Sequence, residues 1–162
     1  MSVPEEKVHM VVRLDHLSLA VSDLDAAIAF FCEGLGFTTH FIERGMTDQI
    51  ASMLGLPEAG CDIAQLIGGS GDTRLELIAF RHGQVGGAAS HPMTPGMGHI
   101  AFRVDEFEAT LARLYALGAE QLGAITQFEA GKGVYLRTPF HAFLEVQEAW
   151  RPEGAAIAGG NA

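Results

Sequence analysis

Two histidines and two glutamates lie at matched positions in the two halves of this 162-residue chain. His16 precedes Glu76 by 60 positions (76 − 16), and His99 precedes Glu145 by 46 positions (145 − 99). Neutral imidazoles and carboxylates bind divalent metal ions, and two of each would offset the charge of the ion while leaving coordination positions for water or substrate. The sequence therefore predicts that these four side chains bind a divalent metal ion, for which Zn, Ni, Co, Mn and Fe all remain possible.

An internal duplication explains the matched positions. Residues 98–114 repeat the pattern of residues 15–31 after a shift of 83 positions (99 − 16). In each copy, a His opens an alternating segment that predicts a strand, and an apolar stripe at helical spacing follows. Ser22 and Asp105 are the predicted N-caps of the two helices. The stripe residues are Leu24, Ile28 and Phe31 in the first copy, and Phe107, Leu111 and Leu114 in the second.

Each half is predicted to form a strand, a helix and three further strands. One βαβββ unit cannot cover its own apolar sheet face, so two units must pair. We therefore expect an α+β fold in which two paired βαβββ modules form a curved mixed sheet around a metal site. The predicted boundaries are an N-terminal arm at 1–10, a first module at 11–81, a linker at 82–97, a second module at 98–150 and a flexible tail at 151–162.

Glycines mark the end of the first helix and the bounds of an insert in the first half. Gly34 and Gly36 are both predicted to end the first helix, because glycine readily adopts the left-handed conformation of helix ends. Residues 45–57 have no counterpart in the second half, and their pattern predicts a short helix bounded by Thr47 and Gly55. This insert accounts for the longer His–Glu separation in the first half. It could contribute to specificity or simply decorate the surface.

Composition excludes several functional classes. The chain is 48% hydrophobic and carries a formal net charge of −10, with only 10 Lys and Arg residues. A nucleic-acid partner is not expected, because phosphate binding needs clustered cations. No apolar run is long enough for a signal peptide or a membrane span, and the two cysteines lack metal-ligand spacing, so a cytoplasmic protein with reduced thiols is expected. A homodimer is expected because the modules leave sheet edges and faces to cover.

Candidate substrate contacts lie beside the predicted ligands. Tyr135 and Arg137 belong to the penultimate predicted strand. Arg103 lies four residues after His99, which is the second position after it on the same face of the strand. Each could contact a small-molecule substrate, although an ordinary structural role is the alternative for each. His82 and His91 lie in the linker and are weaker candidates for proton transfer.

The chain resembles the vicinal oxygen chelate superfamily, which includes glyoxalase I, methylmalonyl-CoA epimerase, extradiol dioxygenases, and fosfomycin and bleomycin resistance proteins. The similarity covers roughly residues 13–147. The segments that carry it are Leu14-Asp15-His16, Arg74-Leu75-Glu76-Leu77, Gly98-His99-Ile100-Ala101-Phe102, and Val134-Tyr135-Leu136-Arg137-Thr138-Pro139 leading to Glu145. This resemblance implies paired βαβββ modules around a divalent ion, with substrates that chelate through two neighbouring oxygens. The ligand order is most similar to that of glyoxalase I, in which all four residues bind the metal.

The resemblance implies lyase or isomerase chemistry by metal-assisted proton abstraction next to a carbonyl, with Glu145 or Glu76 as the catalytic base. One alternative is an Fe(II) extradiol-type dioxygenase that uses only His16, His99 and Glu145 as ligands. His141 departs from the dioxygenase pattern, where Gly or Pro is expected. Another alternative is a non-catalytic protein that binds a drug or metabolite. Relatives also differ in whether the modules pair within one chain or between two chains, and the sequence leaves both arrangements open.

Overall fold

A computed structural model of the chain describes residues 14–82 and 91–149, with only the backbone of His82 described. The first half contains β1 (Leu17–Ala20), α1 (Leu24–Leu35), β2 (Thr38–Met46), α2 (Asp48–Leu54), β3 (Gly60–Ile67) and β4 (Arg74–His82). The second half contains β5 (Ile100–Val104), α3 (Phe107–Ala116), β6 (Glu120–Gln121), β7 (Thr126–Phe128), β8 (Gly131–Arg137) and β9 (Phe143–Glu148). The predicted arm, residues 83–90 of the linker and the tail lie outside the described residues.

Each half forms one mixed sheet in which the opening strand lies parallel to the last strand. The strand order is β1-β4-β3-β2 in the first sheet and β5-β9-β8-β6 in the second, where β7 also pairs with β8. The remaining neighbours are antiparallel. Both sheets have the same βαβββ connectivity if β6 and β7, which both pair with β8, are counted together as the counterpart of β2. The predicted α+β fold of two paired βαβββ modules is therefore confirmed, with one sheet in each module.

The two modules share a core that is built around their helices. Core side chains of α1 and α3 pack in one cluster with apolar residues from both sheets. Phe31 of α1 contacts Phe102 of β5, with ring centroids 6.3 Å apart, and Phe30 contacts Phe140 at 5.4 Å. Large aromatic side chains bury much apolar surface, so these contacts hold the modules together through their helix-bearing sides. The opposite face of each sheet remains available for a site.

A smaller apolar cluster lies beneath the insert. Ile50 of α2 packs with Cys61, Ile63, Ile78 and Phe80. Side chains alternate across a strand, so Ile78 and Phe80 share a face with Glu76, while Leu75 and Leu77 enter the main core. The insert thus forms the predicted helix, with Thr47 and Gly55 as its caps, and it covers part of the sheet face that carries Glu76.

The helix ends differ from the predictions at three positions. Asp23, not Ser22, caps α1, because its backbone is extended and its Oδ1 accepts a hydrogen bond from the Ala26 amide at 3.0 Å. Glu106, not Asp105, occupies the N-cap of α3, and its side chain makes no capping hydrogen bond. Gly34 lies inside α1 rather than ending it; Gly36 alone supplies the left-handed C-cap, with φ at 71°.

No helix in the described parts of the chain is long and apolar enough to cross a membrane.

Candidate metal centre

The first half of the site is a His–Glu pair: His16 immediately precedes β1, and Glu76 lies on β4, which runs parallel to β1. His16 Nε2 lies 3.5 Å from Glu76 Oε1, and His16 Nδ1 lies 2.8 Å from Asp15 Oδ1. The Asp15 carboxylate raises the pKa of His16, mainly through this hydrogen bond, and the same bond lowers the pKa of Asp15. A neutral His16 that donates from Nδ1 to Asp15 presents its Nε2 lone pair towards Glu76, as a metal-binding imidazole does.

The second half is an equivalent pair: His99 immediately precedes β5, and Glu145 lies on β9, which runs parallel to β5. His99 Nε2 lies 3.0 Å from Glu145 Oε2, and Glu145 Oε1 accepts a hydrogen bond from Gln147 Nε2 at 2.7 Å. The Tyr135 ring packs edge-on against His99, with centroids 4.8 Å apart. Burial, followed by the nearby Glu145 charge, raises the pKa of Tyr135, so its hydroxyl is protonated at neutral pH.

Strand register reproduces the same arrangement in both sheets. Ser18 pairs with Glu76 across β1 and β4, and Ala101 pairs with Glu145 across β5 and β9. In each sheet the residue paired with the glutamate lies two positions after the histidine (18 − 16 and 101 − 99). Because residues two apart share a strand face, both histidines project on the same side as their glutamates. Parallel pairing therefore places the repeated His and Glu residues in two equivalent pairs of nitrogen and oxygen donors, called the donor pairs below.

The structure brings each histidine to its own glutamate but does not bring the two pairs together. Within residues 14–82 and 91–149, no three His, Cys, Asp or Glu side chains are grouped so that they could hold one metal ion. The His16–Glu76 pair belongs to the first sheet and the His99–Glu145 pair to the second. Each pair offers one nitrogen and one oxygen donor, so each fits half of the predicted divalent-metal site. The four-ligand set remains a prediction.

The glutamates are better shielded from water than the histidines. Side-chain exposure is 16% for Glu76 and 15% for Glu145, against 35% for each histidine. Desolvating a carboxylate is costly unless a cation or hydrogen-bond donor compensates it. About a third of each histidine side chain is exposed, which leaves room for a second donor pair to approach.

The predicted substrate contacts lie in different surroundings. Tyr135 contacts His99, as described above. Arg103 is exposed on β5, where its cross-strand partner is Gln147. Arg137 forms an ion pair with Glu120 at the sheet edge, and this pair lowers the pKa of Glu120. Substrate contact by Arg103, Tyr135 and Arg137 remains a prediction.

A cleft of about 530 Å³ opens beside the second pair. His99, Glu145 and Tyr135 line it together with His91, whose Nδ1 accepts a hydrogen bond from the Met93 amide at 3.3 Å. The remaining lining residues come from the chain around Pro92 and from the segment 122–134: Pro92, Met93, Leu122, Gly123, Ala124, Thr126, Phe128, Gly133 and Val134. The side chain of His82 lies outside the described residues.

Sequence reasoning missed two kinds of site residue. Gln147 could have been found, because strand alternation places it on the same face of β9 as Glu145. Leu122 and Phe128 carry no comparable signal, since their segment lacks a clear period and contains only the short strands β6 and β7. Their place beside Glu145 is set by pairing with β8, which a local pattern does not report.

A family model matches nearly the whole described part of the chain. Residues 13–146 match the family model described as Glyoxalase/Bleomycin resistance protein/Dioxygenase superfamily. Mitochondrial methylmalonyl-CoA epimerase from Homo sapiens is 30% identical over 104 residues, which are 63% of this chain and 52% of that protein. The chain therefore spans about half the length of this curated relative.

Solved structures share the fold at lower identity. A glyoxalase family protein from Bacillus cereus has a TM-score of 0.80 and 23% identity, covering 91% of this chain and 100% of its own. A glutamate-to-glutamine variant of the fosfomycin resistance protein FosX from Listeria monocytogenes, complexed with Mn(II) and a dihydroxypropylphosphonic acid, has a TM-score of 0.59 and 16% identity, covering 85% and 90%. At these identities the likeness shows the fold alone.

Proposed function

Because the chain belongs to the Glyoxalase/Bleomycin resistance protein/Dioxygenase superfamily, we propose that it is a metal-dependent isomerase or lyase. Its reaction is proton abstraction next to a carbonyl, on a small substrate that chelates through two neighbouring oxygens. The observation that carries the proposal is the pair of equivalent His–Glu arrangements, at 3.5 Å and 3.0 Å, in identical strand register. The compared region of the human epimerase supports an epimerase-like variant of this chemistry.

The proposed metal site is completed between two copies of the chain. The two modules of one chain pack through α1 and α3, which leaves their donor pairs on separate sheets. A second copy could bring its His99–Glu145 pair against the His16–Glu76 pair of the first. An interface with two-fold symmetry would repeat this contact and give two equivalent sites. The proposal thus includes a homodimer in which every site uses both chains.

The proposed reaction assigns distinct tasks to the donor residues. His16, Glu76, His99 and Glu145 would hold the ion, which when bound would lower the energy of negative charge developing on the chelating oxygens. Glu145 is the proposed base: its carboxylate takes the proton as the C–H bond breaks, and the electron pair moves to the carbonyl oxygen. Return of the proton to the neighbouring carbon gives isomerisation. Epimerisation requires a second acid to deliver a proton to the opposite face, and Glu76 is the candidate for that role. Glu76 is the alternative base.

The test combines metal analysis with hydrogen exchange. The purified chain is loaded with Zn, Ni, Co, Mn or Fe(II), and its metal content is measured by mass spectrometry. NMR in heavy water then follows exchange of the C–H hydrogens next to the carbonyl in hydroxyacetone and 2-hydroxyacetophenone. Glu145→Gln keeps the size of the side chain but removes the base, so it should leave the fold intact and nearly abolish exchange. A chain that binds no divalent ion contradicts the proposal. Exchange that survives Glu145→Gln rules out Glu145 as the base, and exchange that survives both Glu145→Gln and Glu76→Gln contradicts the proposed reaction.

A further inference from the structure

We propose that the cleft beside Glu145 takes an uncharged apolar body of the substrate, an aryl or branched alkyl group attached to a carbon atom that carries one of the chelating oxygens. This inference rests on the proposed function and specifies its substrate class. The walls of the cleft include Phe128, which is 58% exposed, and Leu122, which is 36% exposed. Apolar side chains left open to water in a cleft next to polar groups are the usual signature of a ligand site.

Gly133 brings the Phe128 ring close to the proposed base. A Cβ atom at this residue would lie 3.3 Å from Phe128 Cε2, closer than an ordinary contact, and 3.8 Å from Glu145 Oε1. The glycine therefore lets one edge of the ring pack against β8 beside Glu145. An apolar body in the cleft would contact the exposed part of Phe128 while its chelating oxygens lie beside Glu145.

The charges around the cleft disfavour an anionic body. Neither Lys nor Arg occurs among the described residues that line it, whereas Glu145 does. Two cations of the same module are engaged elsewhere: Lys132 pairs with Glu108 at 2.9 Å, and Arg137 pairs with Glu120. Arg103, which is exposed on β5, is not among the described residues that line the cleft. A carboxylate or phosphate on the body of the substrate would lose water without gaining a cationic partner among these lining residues. The cleft should therefore reject substrates whose body carries a negative charge.

Hydroxamates test this inference because they chelate a metal through two neighbouring oxygens while their body can be varied. Acetohydroxamate, benzohydroxamate and para-carboxybenzohydroxamate are titrated into the metal-loaded protein by calorimetry. Benzohydroxamate should bind roughly tenfold tighter than acetohydroxamate, because its ring removes additional apolar surface from water. The para-carboxylate should cancel most of this gain. Equal binding of all three overturns the inference while leaving the metal-dependent function standing.

A variant that displaces Phe128 links the preference to the cleft. Gly133→Ala should remove most of the roughly tenfold preference for benzohydroxamate, because the added methyl group would push the Phe128 ring out of its place beside Glu145. Affinity for acetohydroxamate should change little. Gly69→Ala is the matched control, since a Cβ atom there would meet nothing within 4 Å. A preference that survives Gly133→Ala overturns the assignment to this cleft.

The metal-free protein gives a separate readout. Benzyl alcohol should shift the NMR amide signals of residues 122–128, whereas benzoate should not. If the chain binds no divalent ion but these shifts occur, the proposed function fails and the apolar character of the cleft stands. If benzoate shifts the same signals as strongly as benzyl alcohol, the inference about charge is wrong.

Discussion

Gln147 holds one oxygen of Glu145 and leaves the other facing His99. The amide Nε2 of Gln147 donates to Glu145 Oε1 at 2.7 Å, while Glu145 Oε2 lies 3.0 Å from His99 Nε2. Both side chains project from the same face of β9, which is a rigid element of the second sheet. A partner that fixes one carboxylate oxygen restricts rotation of the group and directs the other oxygen to the proposed ion.

Gln147→Ala should therefore weaken divalent-metal binding by about 10–100-fold, the usual effect of removing a hydrogen-bond partner of a metal ligand. Competition with a chromogenic chelator measures the affinity, and thermal unfolding of the metal-free chain measures stability. Gln49→Ala is the control, because Gln49 is exposed on α2. If the alanine variants at 147 and 49 bind the metal equally well, the proposed role of Gln147 is wrong.

The sequence indicates which histidine lies beside which glutamate, because the relevant information is local and repeated. Strand alternation sets the face of each histidine and glutamate, and the duplication identifies which residues correspond. The helix starts are less certain, since both Ser22 and Asp23 are good caps and only the backbone conformation selects Asp23. Gly34 is ambiguous for a similar reason: glycine can end a helix or allow close packing, and only the position of Leu114 distinguishes the two roles.

The cleft and the relation between the two donor pairs could not be predicted in the same way. Phe128 reaches the site because β7 pairs with β8, and three residues carry too little periodicity to reveal that pairing. The separation of the His16 and His99 pairs depends on how the modules pack. A βαβββ unit can cover its apolar surface by pairing with the other unit of its own chain or with a unit of a second chain. The sequence pattern is the same in both cases, so it leaves the packing undetermined.

The close approach of Gly34 on α1 to Leu114 on α3 allows a test of the packing between the two modules. A Cβ atom there would lie only 2.6 Å from Leu114 Cδ2, and Leu114 is fully buried. Gly34→Val should destabilise the chain by about 1–3 kcal/mol through overpacking. Leu114→Ala should recover part of this loss in the double variant, giving less than the sum of the two single effects. Urea unfolding at one protein concentration measures the cycle, and strict additivity would show that α1 and α3 do not meet at this point.

The pKa of Glu120 reports whether Arg137 is engaged in the free protein. The Arg137 guanidinium lowers this pKa below its ordinary value of 4.5, first by a hydrogen bond and then by charge attraction. A lowered carboxyl pKa contributes stability that is present above about 4.5 and is lost as the pH falls through the folded value. Arg137→Met should return the pKa of Glu120 towards 4.5, as measured by carboxyl NMR. An unchanged titration would mean that Arg137 is free to meet a substrate.

Mixed dimers test whether a metal site uses two chains. His16→Ala damages one donor pair and His99→Ala the other, so each variant alone should lose metal binding and exchange activity. In a mixed dimer between chains, one site receives both damaged pairs and the other receives both intact pairs. Random mixing makes half of the dimers mixed, so about one quarter of wild-type metal content should return.

The same experiment separates the two module arrangements. If both donor pairs of a site came from one chain, every chain in the mixture would carry a damaged site and nothing would return. The variants are mixed after unfolding and refolding, and a wild-type sample treated identically corrects for losses. A control chain with both substitutions, mixed with either single variant, should recover nothing, because no site then receives two intact pairs. Absence of recovery in the first mixture, with dimers present by light scattering, would exclude the inter-chain site.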